Sequence, residues 1–314
     1  MHRRRTLPVV FAGLAALAAI GLAGCTSESA AAPGKVDVVA AFYPLQFVSE
    51  QVGGTHVAVT NLAKPGAEPH DLELSARQVG RVSDAEVIVY LKGFQPAMDD
   101  AVEQVGGDRA FDVSDAVPLL SAGESDHVHP GEEAEEHHDE GGATDPHVWL
   151  DPTRLSTIGQ QVADRLAAED PDHAADYAAN AARLRTELSG LDQEYAAGLR
   201  TCERRELVTS HAAFGYLAER YHLEQVGLTG VSPDTEPAPQ RLASVAAEAR
   251  EHAATTIFFE TLVSPKVADT IAHEVGARTA VLDPIEGLQP GSTGDYFSIM
   301  RTNLTALRTA LDCS

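Results

Sequence analysis

The chain is poor in cysteine and in basic residues, and each shortage excludes a class of protein. Three cysteines in 314 residues exclude a disulfide-dense miniprotein and a zinc module built from four cysteines. Lysine and arginine together number 23 against 47 acidic residues, so the formal net charge is −24. Because phosphate binding requires clustered cations, this charge argues against nucleic acid as a partner. It fits a protein that attracts cations.

The length suggests two domains or one large domain, and a hydrophobic content of 44% is enough for a packed core. Short apolar runs alternate with longer segments of helical periodicity. The predicted strands are 36–41, 56–61, 86–91, 206–210, 255–260 and 278–282. The predicted helices between them are 44–52, 75–82, 95–105, 212–221, 239–252, 264–275 and 295–311. This alternation predicts an α/β fold with mostly parallel sheets.

The N-terminus has the pattern of an export signal. A basic segment, His-Arg-Arg-Arg, precedes an apolar run over 7–23. The uninterrupted run is short for about 30 Å of hydrocarbon, which counts against a transmembrane anchor. It ends in Leu-Ala-Gly-Cys, which looks like a bacterial lipobox. We therefore expect 1–24 to be a signal peptide and Cys25 to carry lipid. Residues 25–35 would be the tether to the outer face of the cell membrane.

The other two cysteines, Cys202 and Cys313, are expected to form a disulfide bond, because an exported protein lies outside the reducing cytosol. Two free thiols are the alternative. The bond would pin the C-terminal helix to the segment before a strand. Closing a loop of about 110 residues would contribute about 4 kcal/mol in the chain-entropy model.

The middle of the chain departs from the strand–helix alternation. Residues 124–140 contain eight acidic residues, four histidines (His127, His129, His137 and His138) and only two apolar residues outside proline and glycine. This composition predicts a disordered loop within 121–144. The loop would either collect metal ions or act as a solvated linker. A helix over 151–170 is expected to connect an N-terminal lobe, 36–150, to a C-terminal lobe, 171–314.

Three histidines and one aspartate have the placement of metal ligands. His70, His211 and Asp283 each follow a predicted strand, and His147 lies in the loop Thr-Asp-Pro-His-Val-Trp-Leu-Asp-Pro. Ligands of open α/β sheets bind beyond the carboxyl ends of strands. Taken singly, such a residue often only caps a helix or bonds within a turn. Together, three imidazoles and one carboxylate suit a four-coordinate ion such as Zn²⁺ rather than Ca²⁺ or Mg²⁺.

Four segments, 66–71, 145–152, 210–216 and 282–284, resemble the motifs of zinc and manganese ABC-transporter substrate-binding lipoproteins, the zinc-uptake or cluster A-I binding proteins. The resemblance covers about 36–312. It implies two Rossmann-like lobes with mostly parallel sheets, joined by a long backbone helix, with one metal ion in the cleft between them. It also implies delivery of the ion to a membrane permease powered by a cytoplasmic ATPase. We expect a monomer.

The resemblance implies that the metal ligands are His70, His147, His211 and Asp283. The third ligand is glutamate in many manganese-type members and histidine in zinc-type ones, so His211 favours Zn²⁺ over Mn²⁺. Two further acidic residues lie near the motifs. Glu260 is expected to accept a hydrogen bond in the cleft, and Glu68 is an alternative ligand if Asp283 is displaced.

The expected function is metal binding rather than catalysis, because four protein ligands leave no open position for a reactive water. Since bound imidazoles must be neutral, affinity should drop as pH falls through about 6. Two other classes stay open. A secreted zinc hydrolase would need three protein ligands and a base such as Glu260, but the sequence has no His-Glu-x-x-His helix. In a surface adhesin, the metal would only stabilise the folded structure.

Overall fold

Two four-stranded sheets organise the computed structural model, which describes residues 34–122, 144–233 and 237–314. The first contains β1 (Val36–Ala40), β2 (Val57–Asn61), β3 (Val87–Tyr90) and β4 (Ala110–Asp112), in the order β2-β1-β3-β4. The second contains β5 (Glu206–Thr209), β6 (Glu224–Gly227), β7 (Thr256–Phe259) and β8 (Arg278–Val281), in the order β6-β5-β7-β8. Every pairing within the two sheets is parallel, which confirms the predicted α/β fold.

Nine α-helices lie within the described residues: α1 (Tyr43–Gly53), α2 (Ala76–Asp84), α3 (Pro96–Ala101), α4 (Pro152–Glu169), α5 (Ala174–Gly198), α6 (Gly215–Tyr221), α7 (Pro239–Glu251), α8 (Lys266–Val275) and α9 (Tyr296–Ala310). Each predicted helix has its counterpart, although the segment predicted as 95–105 is α3 followed by a π-helical turn, Val102–Gly106. No helix of the described residues combines the length and the apolar character that a membrane crossing requires.

The burial, length and polarity of the strands explain which of them could be predicted from the sequence. β1 and β3 lie in the middle of their sheet and are buried along their whole length; β3 is a continuous apolar run, and β1 is apolar apart from Asp37. β4 and β6 were not predicted. β4 has three residues and lies at an edge of its sheet, and β6 carries a glutamate and a glutamine. Strands so short and polar lack the periodic signal that identifies the others.

The helices α4 and α5 lie in sequence between the two sheets. α4 begins after Asp151, whose carboxylate accepts a hydrogen bond from the backbone amide of Thr153 at 2.7 Å. It ends before the Asp-Pro pair at 170–171, as proline there predicts. Gly159 permits close packing on α5, because a Cβ at this position would lie 3.1 Å from a methyl group of Leu184. The assignment of α4 alone as the connector stays a prediction.

A disulfide bond joins Cys202 to Cys313, as predicted, and closes a loop with a sequence separation of 111. The two cysteines also pair as an isolated antiparallel bridge. α9 is further attached to α5, because the Tyr195 hydroxyl donates a hydrogen bond to the backbone oxygen of Met300 at 2.6 Å. The C-terminus is thereby held against the segment that leads into β5. Cys25 and the loop histidines His127, His129, His137 and His138 lie outside the described residues.

Candidate metal centre

Four polar side chains from distant parts of the chain meet in one place. His70 follows β2, His211 follows β5, and Glu286 follows β8. His147 immediately precedes the short 3₁₀ turn Val148–Leu150. Three of the four therefore lie beyond the carboxyl ends of parallel strands, where α/β proteins bind their ligands. The cluster combines residues that follow strands of both sheets.

The Nε2 atoms of the three imidazoles surround one carboxylate oxygen. Oε1 of Glu286 lies 3.0 Å from Nε2 of His147 and 3.2 Å from Nε2 of His211. It lies 3.5 Å from Nε2 of His70. One ligand atom from each residue lies within 4.8 Å of the others. The side chains of His147 and Glu286 are 0% exposed and that of His70 is 9% exposed, so the cluster is shielded from water.

Two further carboxylates orient the imidazoles. Nδ1 of His147 lies 2.7 Å from Asp145, and Nδ1 of His211 lies 2.8 Å from Glu260. Each Nδ1–H donates its hydrogen bond to a carboxylate oxygen, which leaves Nε2 as the atom that can bind a metal ion once it has lost its proton. Histidines that bind metals are commonly fixed in this way. Asp145 had not been singled out in the sequence, although the Asp-Pro-His order already puts a carboxylate two residues before His147.

The same contacts shift the pKa values of the cluster. Burial opposes the charged form of His147, but the hydrogen bonds that its ring donates to Asp145 and Glu286 outweigh burial and raise its pKa. Burial also opposes charging of His211, and there Glu260 and Glu286 raise the pKa well above its usual value. Burial favours the neutral form of Glu286, yet the histidines around it hold its pKa well below the usual range. Without metal, protons therefore bind this cluster strongly.

Asp283 is not part of the cluster, which corrects the expectation for the fourth position. Its Oδ1 accepts a hydrogen bond from the Ile285 amide at 2.8 Å, and its Oδ2 accepts one from the Thr261 hydroxyl at 2.9 Å. Both oxygens thus accept hydrogen bonds that stabilise the turn after β8. Ile285 has a positive φ of 60°, and the chain then brings Glu286 to the imidazoles.

The turn at 283–286 is held by a residue far away in the sequence. Nε1 of Trp149 donates a hydrogen bond to the backbone oxygen of Pro284 at 2.7 Å. Trp149 in turn accepts a hydrogen bond on its backbone oxygen from the Tyr296 hydroxyl at 2.6 Å. Trp149 lies two residues after His147, so the same short segment supports both an imidazole and the glutamate opposite it.

Glu68 lies beside Glu286. Its Oε1 accepts a hydrogen bond from the His70 amide at 3.2 Å. Burial, reinforced by the nearby charge of Glu286, raises the pKa of Glu68 to about 9. One carboxylate oxygen from each of Glu68, Glu260 and Glu286 lies within 4.8 Å of the others. The sequence-based candidates Glu68 and Glu260 therefore both adjoin the cluster.

A family model described as "Zinc-uptake complex component A periplasmic" matches residues 38–310 of the chain. The match covers seven of the eight strands completely, β1 from Val38 onward, and all four residues of the cluster.

Individual relatives agree with the family match. A zinc-binding lipoprotein, AdcA, of Streptococcus pneumoniae is 37% identical over 309 residues, covering 95% of this chain and 60% of the relative. The chain thus spans less than two thirds of the length of that relative. A high-affinity zinc uptake system protein, ZnuA, of Bacillus subtilis is 33% identical over 312 residues, which cover 96% of this chain and 96% of the relative.

A solved structure has the same fold. The crystal structure of the Zn(II)-bound ZnuA-like domain of Streptococcus pneumoniae AdcA superposes with a TM-score of 0.73 at 33% identity. The superposition covers 89% of this chain and 100% of that domain.

Proposed function

The chain belongs to the family of zinc-uptake complex component A proteins, and from this premise we propose that it captures Zn²⁺ outside the cytoplasm and delivers it to an ABC-transporter permease. The observation that carries the proposal is the convergence of three Nε2 atoms and one carboxylate oxygen within 4.8 Å in a shielded position. The protein acts as a stoichiometric carrier and not as an enzyme.

The proposed ligands of the ion are His70, His147, His211 and Glu286. Three neutral imidazoles and one carboxylate match the donor types and the coordination number that Zn²⁺ prefers. Mn²⁺ is the alternative cargo, but it binds nitrogen-rich sites more weakly than Zn²⁺ does. Asp145 and Glu260 support the site by holding the imidazoles of His147 and His211 with Nε2 toward the ion.

The ligands follow elements of both sheets, and this supports a carrier. His70 follows β2 in the first sheet, while His211 and Glu286 follow β5 and β8 in the second. A relative displacement of the two sheets would separate the ligands and release the ion to the permease. A cytoplasmic ATPase would power the permease, as the family assignment implies.

Three parts of the proposal concern residues outside the described ranges or the assembly. We propose that Cys25 carries a lipid that anchors the protein to the outer face of the cell membrane. The relative from Streptococcus pneumoniae named a lipoprotein supports this assignment. The loop 124–140, with its four histidines, would collect ions near the site. The protein would act as a monomer.

The direct test measures zinc on the full chain. Elemental analysis is expected to find one tightly bound Zn²⁺ per chain, after weakly held ions are removed by a chelator of moderate affinity. His211→Ala is expected to weaken that binding at least about tenfold in a competitive titration, because one of four ligands is lost. His273→Ala is the matched control, since His273 is exposed on α8. Equal affinity of the two variants would remove His211 from the site, and zinc-dependent hydrolysis would favour an enzyme.

Zinc binding is expected to strengthen as pH rises through 6.5 and beyond. Because folding raises the pKa values of His147 and His211, bound protons stabilise the metal-free fold. This stabilisation is fully present below a pH of about 6.5, the pKa of histidine in the unfolded chain. This stabilisation is lost as pH rises through the higher folded pKa values, and zinc must displace the protons. Each displaced proton changes the affinity about tenfold per pH unit. The pH range over which zinc affinity depends on pH therefore extends above the pH of about 6 that the sequence predicts.

Competitive titrations at several pH values, with calorimetry in buffers of different ionisation enthalpy, measure this effect. We expect at least one proton to be released per zinc at pH 7. Constant affinity between pH 6.5 and 7.5, together with no proton release, would contradict the assigned protonation of the cluster.

A further inference from the structure

Three carboxylates form a second group of metal-binding atoms beside the imidazole cluster. Glu68, Glu260 and Glu286 each contribute one oxygen, and these oxygens lie within 4.8 Å of one another. Glu286 belongs to both groups. The two groups therefore share one carboxylate and are neighbours inside the protein.

In each of the three residues, one oxygen is engaged and the other is not. Oε1 of Glu68 accepts a hydrogen bond from the His70 amide, and Oε1 of Glu260 accepts one from His211. Oε1 of Glu286 faces the imidazoles. The Oε2 atoms of all three residues are buried and have no hydrogen-bond partner. Glu260 is 2% exposed and Glu286 is 0% exposed, so these two carboxylates are shielded from bulk solvent.

Unpartnered oxygens of buried carboxylates are energetically unfavourable, since each has lost its hydration without a compensating contact. One such atom has many explanations, but three in neighbouring carboxylates point to a common cationic ligand.

We propose that Glu68, Glu260 and Glu286 form a second divalent-cation site, which takes an oxygen-preferring ion such as Mn²⁺ beside the zinc site. All of its protein donors are carboxylate oxygens, the ligand type that Mn²⁺, Mg²⁺ and Ca²⁺ prefer. Glu286 bridges the two ions. The proposal rests on the proposed function, because it takes Glu286 as a zinc ligand.

The test uses Mn²⁺ as the probe on the full chain already loaded with one equivalent of Zn²⁺. The electron paramagnetic resonance signal of free Mn²⁺ reports how much manganese is bound. Mn²⁺ does not displace Zn²⁺ from imidazoles, because it is the weaker-binding ion. The key variant is Glu68→Gln, which removes a charge but keeps an oxygen that can accept the hydrogen bond from His70. Glu73→Gln is the control, because Glu73 is an exposed acid of the same segment.

We expect the wild-type chain and Glu73→Gln to bind one more equivalent of Mn²⁺ than Glu68→Gln, or to bind it at least about tenfold more tightly. Zinc affinity is expected to agree within about threefold among the three proteins. Weak binding by other acidic segments, including 124–140, is common to all three and cancels in the comparison.

Two results would overturn the second site. Equal manganese binding by all three proteins would mean that Glu68 holds a proton rather than sharing an ion. Zinc affinity more than about tenfold weaker in Glu68→Gln would make Glu68 a ligand of the zinc itself. Failure of the wild-type chain to load zinc is a different outcome, which would reject the proposed function first.

Discussion

Glu286→Gln is expected to lower the affinity for zinc about 100-fold or more, whereas Asp283→Asn should change it less than about tenfold. Glu286 is the one negatively charged residue among the four proposed ligands, and it is 0% exposed. Without its charge, a doubly charged ion would lie buried among neutral imidazoles, which is strongly unfavourable. Asp283 instead accepts hydrogen bonds within its own turn, from Ile285 and Thr261.

The pair is matched, because both substitutions replace a carboxylate by an amide within one turn. Competitive titration with a chromophoric chelator measures zinc affinity for both variants and the wild-type chain. Asparagine at 283 keeps an oxygen that can accept the hydrogen bond from the Ile285 amide, so the turn should persist. If Asp283→Asn proves the more damaging change, the original expectation for Asp283 as ligand would be restored and Glu286 would be excluded.

Removing the disulfide bond by the double substitution Cys202→Ala and Cys313→Ala should destabilise the metal-free protein by about 2–5 kcal/mol. The bond closes a loop with a sequence separation of 111, which contains the whole second sheet and α9. Opening it gives the unfolded chain more conformations, and it also frees the C-terminus from the segment before β5. Urea denaturation without zinc measures the free energy of unfolding, since bound metal would add its own stabilisation.

The wild-type chain treated with a reductant is the control for the two new alanines, and it should unfold at the same urea concentration as the double variant. Zinc affinity at a urea concentration well below the transition should remain close to wild type, because neither cysteine belongs to the metal cluster. A loss of stability below about 1 kcal/mol would show that the C-terminal contacts hold without the bond.

Much of the fold was predictable because its signals are local. The buried strand β3 is a continuous apolar run, β1 is apolar apart from Asp37, and the start of α4 is marked by Asp151 followed by proline. β4 and β6 escaped prediction because three or four residues with polar members carry little periodicity. These strands form at the edges of sheets whose other strands supply the pairing partners.

Three of the four residues of the metal cluster were also predictable from the sequence. His70 and His211 could be selected because each follows a predicted strand, and His147 because its segment resembles a motif of the family; the structure brings these three together. The fourth position was assigned to the first carboxylate after β8. Strand-end reasoning does not distinguish Asp283 from Glu286, which lie in the same short segment.

The sequence by itself determined the alternation of strands and helices, which two cysteines were available to pair, and the donor types that favour zinc, since each depends on local pattern or on side-chain chemistry. Only the tertiary structure decided which carboxylate faces the imidazoles. That choice depends on a turn held by Trp149, which donates its hydrogen bond to Pro284 across 135 positions of the chain. The tertiary structure also brought Glu68, Glu260 and Glu286 together, because contacts between distant segments arise from packing and not from spacing in the sequence.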